Sequence, residues 1–272
     1  ETLRAAVKDW LEDETKAEAK YGHISDWDTT EVTDMSNLFD YAERFNQPIG
    51  DWDVSNVTNM RQMFWMAHRF NKPLKKWNVS KVTKMERMFR EAFKFNQPIG
   101  NWNVSNVIDM EEMFSSQPGY DYEFMKFNQP IGEWDVSSVT NMMGMFDENP
   151  NFNQPIGNWE VKEVKNMKSM FSYAINFNQS LEKWDVSNVS NFEYFAFSCE
   201  EWIEENNEET EEVPLNNGVG CLTNEQGGIG GGSGAGSGFL PDSPLLTNEN
   251  TLASGVTVDE DGLQLSTHHS HA

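Results

Sequence analysis

One pattern of apolar and polar positions recurs along residues 27–197: W-D-V-S-x-V-T-x-M-x-x-M-F-x-x-A-x-x-F-N-Q-P-I-G-x. Five of the six intervals between its tryptophans span 25 residues, and the interval from Trp102 to Trp134 spans 32. A fixed period of this length predicts a stack of similar supersecondary units, with a long repeated surface and no obvious catalytic cleft. The tryptophans that begin the seven copies are Trp27, Trp52, Trp77, Trp102, Trp134, Trp159 and Trp184.

Each copy is predicted to contain one strand and one helix. Apolar residues spaced three and then two apart, as in residues 99–104, match the L-x-x-L-x-L spacing of a leucine-rich repeat and predict a short strand at Trp-x-Val. Four apolar residues of the range 60–67 lie at i, i+3, i+4 and i+7, one face of a helix, with Thr58 or Asn59 as its N-cap. These four residues are Met60, Met63, Phe64 and Ala67.

A Phe-Asn pair follows the predicted helix in six copies. It predicts an aromatic spine beside a ladder of Asn amides that bond backbone groups at a bend. A glycine ends the bend in four copies, but Lys75 and Glu182 take its place in two others. A positive φ is therefore not required at this position.

The predicted fold class is an α/β repeat, a curved leucine-rich-repeat-like solenoid with the sheet on its concave side. Curvature is expected because helices pack about 8–10 Å apart while strands lie about 4.8 Å apart. The predicted organisation is a helical cap (1–26), seven repeats (27–198), an acidic cap (199–226), a Gly-rich linker (227–238) and a tail (239–272) with a β-prone segment at 251–265.

Composition and net charge limit the classes of partner that we expect for this chain. The net charge is −24, which disfavours nucleic acid as a general partner, and no apolar run approaches the roughly 20 residues of a membrane span. No signal peptide is visible, as in a processed chain or a cytosolic chain numbered from an internal residue. Two cysteines, Cys199 and Cys221, follow the last repeat. They form either a disulfide that closes the C-terminal cap, the interpretation we favour, or two free thiols.

Charge is distributed unevenly along the chain. Residues 61–94 hold ten basic side chains, the basic band, and only two acids, for a net charge of +8. An acidic run directly follows the repeats. The basic band is Arg61, Arg69, Lys72, Lys75, Lys76, Lys81, Lys84, Arg87, Arg90 and Lys94. The acidic run is Glu200, Glu201, Glu204, Glu205, Glu208, Glu209, Glu211 and Glu212.

The band and the run suggest a contact between neighbouring copies, head to tail. A solvated surface without a partner and an anionic polysaccharide or cell surface as partner remain alternatives for the band. Loose Ca²⁺ binding remains an alternative for the run, although it lacks the D-x-[DN]-x-[DN]-G spacing of an ordered Ca²⁺ loop.

The seven extra residues of the long interval fall in residues 115–126 and predict a protruding aromatic and acidic loop. Inserted loops of repeat proteins carry binding specificity in many cases, and neutral length variation is the alternative. Its candidate contact residues are Tyr120, Asp121, Tyr122 and Phe124.

The chain offers little for catalysis or cofactor binding. No nucleophile and base pair, metal-spaced cluster or phosphate loop is evident, so we expect no enzyme activity, cofactor or metal. Three terminal histidines are a weak metal signal: His268, His269 and His271. N-x-S/T sequons, four of which arise from the repeat pattern, occur at Asn56, Asn78, Asn103, Asn178 and Asn188.

The motifs FNQPIGNW, WDVSNVTNM and MFxxAxxFNQ resemble the BspA-type leucine-rich repeats of bacterial and microbial-eukaryote surface proteins. The resemblance covers residues 20–198, and residues 3–27 resemble the helical lead-in of those proteins. It implies a secreted or cell-surface location and a binding, adhesive or structural role without enzyme chemistry.

Two functions therefore compete. The favoured one is a self-assembling structural subunit of a fibre or coat, whose partners are other copies of itself. The alternative is a monomeric adhesin or ligand-binding module that recognises a glycan or a host protein.

Overall fold

The computed structural model describes residues 2–117 and 123–197, together with the backbone of four short strands further along the chain. Two helices come first, α1 (Leu3–Glu12) and α2 (Glu14–Tyr21), followed by a 3₁₀ turn at Ile24–Asp26. Thr2 caps α1 by accepting a hydrogen bond from the Ala5 amide, and Asp13 caps α2 in the same way through Lys16. Both helices lie in the segment predicted as the N-terminal cap.

Each 25-residue repeat forms one turn of chain, here called a coil. Coil 1 is residues 27–51, coil 2 is 52–76, coil 3 is 77–101, coil 4 is 102–133, coil 5 is 134–158, coil 6 is 159–183, and coil 7 begins at Trp184. Equivalent Phe rings stack from coil to coil, as between Phe64 and Phe89 at 5.4 Å. The Trp side chains stack likewise, and each indole from Trp52 onward donates to a carbonyl of an earlier turn, as Trp77 does to Ile49 at 3.1 Å.

A backbone ladder holds the coils together. In coil 2 the amides of residues 60, 62, 64 and 66 donate to the carbonyls of residues 84, 86, 88 and 90 in coil 3, at 2.8–2.9 Å. The same four bonds recur between coils 1 and 2 and, for the equivalent residues, along the stack. Isolated parallel bridges mark the start of each rung at Asp34, Asn59, Lys84, Asp109, Asn141, Asn166 and Asn191.

The predicted helix in each copy is wrong. Residues 27–117 and 123–197 contain no α-helix. Two residues of most coils instead have positive φ, as Gln62 (56°) and Met66 (57°) do in coil 2. These left-handed residues turn alternate amides toward the next coil, so the amides cannot bond four residues back along their own chain.

The apolar spacing behind the helix prediction nevertheless identifies the inward side chains. Met60, Met63, Phe64 and Ala67 are all fully buried. Local bonds three residues apart, such as Met63 N–H to the Met60 carbonyl at 3.2 Å, produce this spacing without a helix. Asn59, one of the two predicted N-caps, instead closes a turn by accepting from the Arg61 amide at 3.1 Å.

The predicted strand at Trp-x-Val is also wrong. The parallel bridges lie at the residue before the first Met, as at Asn59, and not at Trp52 or Val54. The backbone there forms turns, since Trp52 N–H bonds Ile49 and the Ser55 amide bonds the Asp53 carboxylate. Both side chains still point inward, because Trp52 and Val54 are 3% and 1% exposed.

The predicted Asn ladder is present. The backbone N–H of Asn71 donates to the side-chain oxygen of Asn46 at 3.0 Å. The column continues in the same way with Asn96, Asn128, Asn153 and Asn178. The glycine that ends the bend has no positive φ, but a carbonyl of the next coil approaches it closely, that of a proline in three copies and that of Ser180 at Gly157. A Cβ on Gly100 would lie 2.3 Å from the Pro130 carbonyl oxygen.

Four short strands follow the coils. β1 (Val219–Cys221) pairs antiparallel with β2 (Ile229–Gly231), so part of the predicted Gly-rich linker is a strand. β3 (Thr257–Val258) pairs antiparallel with β4 (Gln264–Leu265) inside the predicted β-prone segment. The chain divides into two compact units, Glu1–Phe239 and Leu240–Ala272. The leucine-rich-repeat-like curvature stays a prediction.

Candidate interaction surfaces

The basic band does not form one patch. Arg61, Lys84, Arg87 and Arg90 lie on the ladder, and Lys81 lies in the turn between Val79 and Val82. The others lie near the Phe-Asn and Pro-Trp bends. Four of its ten cations make ion pairs within the chain: Lys76 with Asp51, Arg87 with Glu111 and Glu112, Arg90 with Glu91 and Glu112, and Lys94 with Glu123. Within the described residues, five make neither an ion pair nor a side-chain hydrogen bond: Arg61, Arg69, Lys72, Lys75 and Lys84.

Arg87 and Arg90 belong to a half-buried group of charges that spans coils 3 to 5. Arg87 donates to Glu111 at 2.6 Å and to Glu112 at 2.5 Å, and Arg90 donates to the same oxygen of Glu112. The central charged cluster consists of Arg87, Arg90, Glu91, Glu111, Glu112, Asp147 and Glu148, and carries more negative than positive charge.

Burial perturbs two acids of this cluster. Burial raises the pKa of Asp147 to about 7, opposed by a hydrogen bond from Ser172 and supported by the nearby charges of Glu148 and Glu112. Burial also raises the pKa of Glu148 above its usual range, although Arg90 opposes the change. One carboxylate oxygen of each is buried without a hydrogen-bond partner. Protons therefore bind here more readily than at exposed carboxylates.

The inserted loop begins beside this cluster and leaves the ladder intact. Ser116 N–H still donates to the Asp147 carbonyl of coil 5 at 3.0 Å, and Met125 returns the chain to the core, fully buried. Phe124 is 37% exposed. The neighbouring Glu123 pairs with Lys94 of the basic band at 2.9 Å. Tyr120, Asp121 and Tyr122 lie outside the described residues.

Exposed aromatic side chains lie toward both ends of the ladder. Tyr41 is 57% exposed and packs against Trp65 with ring centres 4.8 Å apart. Tyr173 and Tyr194 are 45% and 38% exposed, and both contact Phe197 edge to face. These aromatics were not among the sequence candidates. Residues at one position of the repeat share one face of the stack. Counting in steps of 25 from the buried positions would therefore have placed these aromatics outside the core.

The ladder ends with opposite chemistry at its two ends. In coil 1 the carbonyls of Asp34, Ser36, Leu38 and Asp40 accept no hydrogen bond from any described residue. We call this row the acceptor edge. In coil 7 the amides of Phe192, Tyr194 and Ala196 have no acceptor among the described residues. We call this row the donor edge.

Pockets and metal sites are not prominent in the described chain. A depression beside Gly100, Gly132 and Pro155 is open to solvent and holds a single acid, Glu133. No group of three or more metal-ligating side chains occurs among the residues that the structure describes. No helix of that part is long and apolar enough to cross a bilayer.

Several predicted residues cannot be placed. The acidic run, Glu200 to Glu212, and Cys199 lie outside the described residues, as does the side chain of Cys221. The disulfide and the contact of the acidic run with the basic band therefore stay predictions.

Comparison with known proteins gives a family. The family model described as "Mycoplasma protein of unknown function, DUF285" matches residues 11–124 and 119–209, which is more than half of the chain. No curated protein and no solved structure matches. The matched residues span α2 and all the coils together with the start of the acidic run. The chain therefore belongs to the family described as Mycoplasma protein of unknown function, DUF285.

Proposed function

We propose that this protein is a non-enzymatic surface or extracellular repeat protein that acts through protein–protein contacts, as a self-assembling structural subunit. The observation that carries the proposal is the direction of the ladder: every rung points its amides toward coil 7 and its carbonyls toward coil 1, so the two ends of the described stack differ chemically. Unpaired backbone edges are templates on which another chain can pair.

The chemistry of the edges favours a head-to-tail arrangement. Two donor edges cannot pair with each other, because amides need carbonyls, and the same holds for two acceptor edges. A contact between unlike surfaces of identical subunits is heterologous, and it propagates into a ring or a fibre.

The positive charge of the basic band is expected to contribute less to assembly than the sequence suggests. The internal ion pairs of Lys76, Arg87, Arg90 and Lys94 reduce the positive charge that the basic band offers to a neighbour. Exposed ion pairs are weak and screened by salt, whereas backbone hydrogen bonds are not. Assembly is therefore expected to persist at high salt.

The surface location rests on the resemblance of the repeats to BspA-type leucine-rich repeats. The family to which the chain belongs has no described function.

Sedimentation velocity and negative-stain microscopy of the full chain, at low and high salt, test the proposal. We expect concentration-dependent oligomers or filaments under both conditions. Strictly monomeric particles at every concentration and at both salt levels would overturn self-assembly.

A second candidate is a monomeric module that binds a glycan or a protein through exposed aromatics. The pair Tyr41–Trp65 favours it, since the Tyr41 ring is 57% exposed and packs against the partly exposed Trp65. Binding to a glycan or protein array that is lost in Tyr41→Ala but kept in Tyr173→Ala would support this candidate. No binding by folded protein would count against it.

A further inference from the structure

We propose that an outer column of basic side chains on coils 1 to 4 binds a linear anionic polysaccharide, a polymer with one negative charge on each of many successive sugars. The basic column consists of Arg44, Arg69, Lys94 and Lys126, one residue from each coil. Arg69 and Lys94 also belong to the basic band, whereas the other two lie outside it. The inference goes beyond the self-assembly proposed above and does not depend on it.

The backbone holds the four residues in register. Each amide of the column donates to the carbonyl of the residue that precedes the column member one coil earlier. These bonds, of 3.1–3.2 Å, run from Arg69 to Glu43, from Lys94 to His68 and from Lys126 to Phe93. The phenylalanines that follow the column members stack with ring centres 5.8–6.1 Å apart. The column therefore places one cation in every coil, with the coils about 6 Å apart.

The side chains of the column are accessible. Arg44, Arg69 and Lys126 are exposed and Lys94 is half-buried, although the phenylalanine after each of them is buried. Within the described residues, only Lys94 of the four makes an ion pair, with Glu123 at 2.9 Å. Unpaired cations in one row repel each other, and a bound polyanion would remove that repulsion.

The inserted loop already places one carboxylate on the column. Glu123 accepts a hydrogen bond from the Lys94 ammonium at 2.9 Å. This hydrogen bond lowers the pKa of Glu123, and the nearby charges of Lys94 and Lys126 add to the effect. The column thus stabilises a carboxylate in its ionised form. A carboxylate of a bound polymer would meet the same cations in place of Glu123.

The shape of the column favours a linear polymer over a lipid surface. Coils 5 and 6 continue the column with the neutral side chains of Asn151 and Asn176, so the charges form one row that ends at coil 4. A membrane offers a plane of anionic headgroups and attracts clusters of basic residues. A single row of regularly spaced cations instead matches a chain with regularly spaced charges.

The surroundings of the column favour a polysaccharide over nucleic acid. Single-stranded nucleic acid binds where bases stack on aromatic side chains beside a basic groove. The phenyl rings that flank Arg69 and Lys94 are buried: Phe70, Phe93 and Phe95. The net charge of −24 opposes any polyanion, but the Debye length is about 8 Å at physiological salt, so the column acts most strongly on a chain that lies along it.

Removal of two column charges tests the site. Arg69→Gln/Lys126→Gln is compared with Arg61→Gln/Lys84→Gln, which removes the same charge from exposed, unpaired residues of the ladder. Isothermal titration calorimetry with polygalacturonate at low salt measures binding. We expect the column variant to bind about tenfold more weakly and the control to bind like the parent. Equal losses in both variants, with unchanged thermal unfolding, or no binding by the folded parent, would overturn the inference.

Removal of the internal carboxylate tests the position of the ligand. Glu123→Gln frees Lys94, and we expect it to bind polygalacturonate several-fold more tightly than the parent. Glu163→Gln is the matched control, since it removes one exposed negative charge away from the column. Equal affinities of these two variants would contradict a ligand that lies along the whole column.

Other probes identify the class of ligand. We expect no binding to dextran, which is uncharged. Tighter binding to a single-stranded oligonucleotide, or to vesicles that contain phosphatidylserine, would overturn the assignment to a polysaccharide. Binding to the column should weaken as salt rises, whereas assembly is expected to persist. A monomeric chain that binds polygalacturonate would therefore keep this inference and overturn self-assembly, and an assembling chain that does not bind it would do the reverse.

Discussion

The carboxylate of Asp147 is largely buried, with Glu112 of coil 4 and Ser172 of coil 6 as neighbours. Its pKa is raised to about 7, mainly by burial, and one of its oxygens has no hydrogen-bond partner. The unfolded chain releases this proton near pH 4, so the folded state binds more protons between about pH 4 and pH 7. Stability contributed by the protonated form is therefore lost as the pH rises through this window.

Asp147→Asn removes this pH dependence. We expect the variant to match the parent near pH 4 and to be more stable by about 1–3 kcal/mol at pH 8, measured by chemical unfolding. Asp185→Asn is the control, and a small change is expected there, because Asn78 and Asn103 accept the same turn bond that Asp185 accepts from Ser187. Parallel stability–pH curves for Asp147→Asn and the parent would contradict the account.

Backbone strain is the second residue-scale feature. Ser169 has φ 54°, and its equivalent in coil 5 is Gly144, with φ 58°. An L-residue in the left-handed region costs about 1–2 kcal/mol, and glycine loses about 0.5–1 kcal/mol of chain entropy on folding.

Ser169→Gly is therefore expected to stabilise the protein by about 0.5–1 kcal/mol, because relief of strain outweighs the entropy that is lost. Ser138→Gly is the matched control, since Ser138 does not have a positive φ, and it should be destabilising. Urea unfolding of both variants measures the difference. Destabilisation by both substitutions would contradict a strained ladder.

At the scale of elements, the coils are held together by close approaches of backbone. Gly100 has no room for a side chain, because a Cβ would lie 2.3 Å from the Pro130 carbonyl oxygen. Gly50, Gly132 and Gly157 are similarly crowded by the next coil.

Gly100→Ala should destabilise the protein by about 1–3 kcal/mol, because the neighbouring turn must shift to admit the methyl group. Lys75→Ala, at the equivalent position of coil 2, should be nearly neutral because that coil already carries a side chain there. Thermal unfolding distinguishes the two. Equal, small losses would show that the coils yield more easily than the geometry implies.

The elements also show where sequence reasoning succeeds and fails. Period, inward residues and the Asn column were predictable, because burial at Met60, Met63, Phe64 and Ala67 follows the apolar pattern. The ladder was not predictable, because a helix and a ladder coil can place the same apolar spacing inward. The left-handed positions carry residues such as Gln62 and Met66, and glycine occurs at only one of them, Gly144. The pairing of Arg87 with Glu112 was available, since these residues lie one period apart.

At the scale of the whole molecule, the ladder gives the stack a direction. The peptide groups of the four rungs point their amides toward coil 7, so the two ends differ chemically although the coils are alike. The helices α1 and α2 cover the acceptor end, whereas the described residues leave amides unpaired at the donor end. Charge in the basic band is partly neutralised inside the chain, so we propose the ends rather than the band as the surfaces for assembly.

The exchange of individual backbone amides, followed by mass spectrometry or NMR, tests the donor edge most directly. In dilute monomer, the amides of Met167, Ser169 and Phe171, bonded to coil 7, should exchange slowly, while those of Phe192, Tyr194 and Ala196 should exchange fast. When the protein assembles at high concentration, the latter three should become protected. Protection of these amides already in the dilute monomer, or continued fast exchange in the assembled protein, would contradict the head-to-tail account.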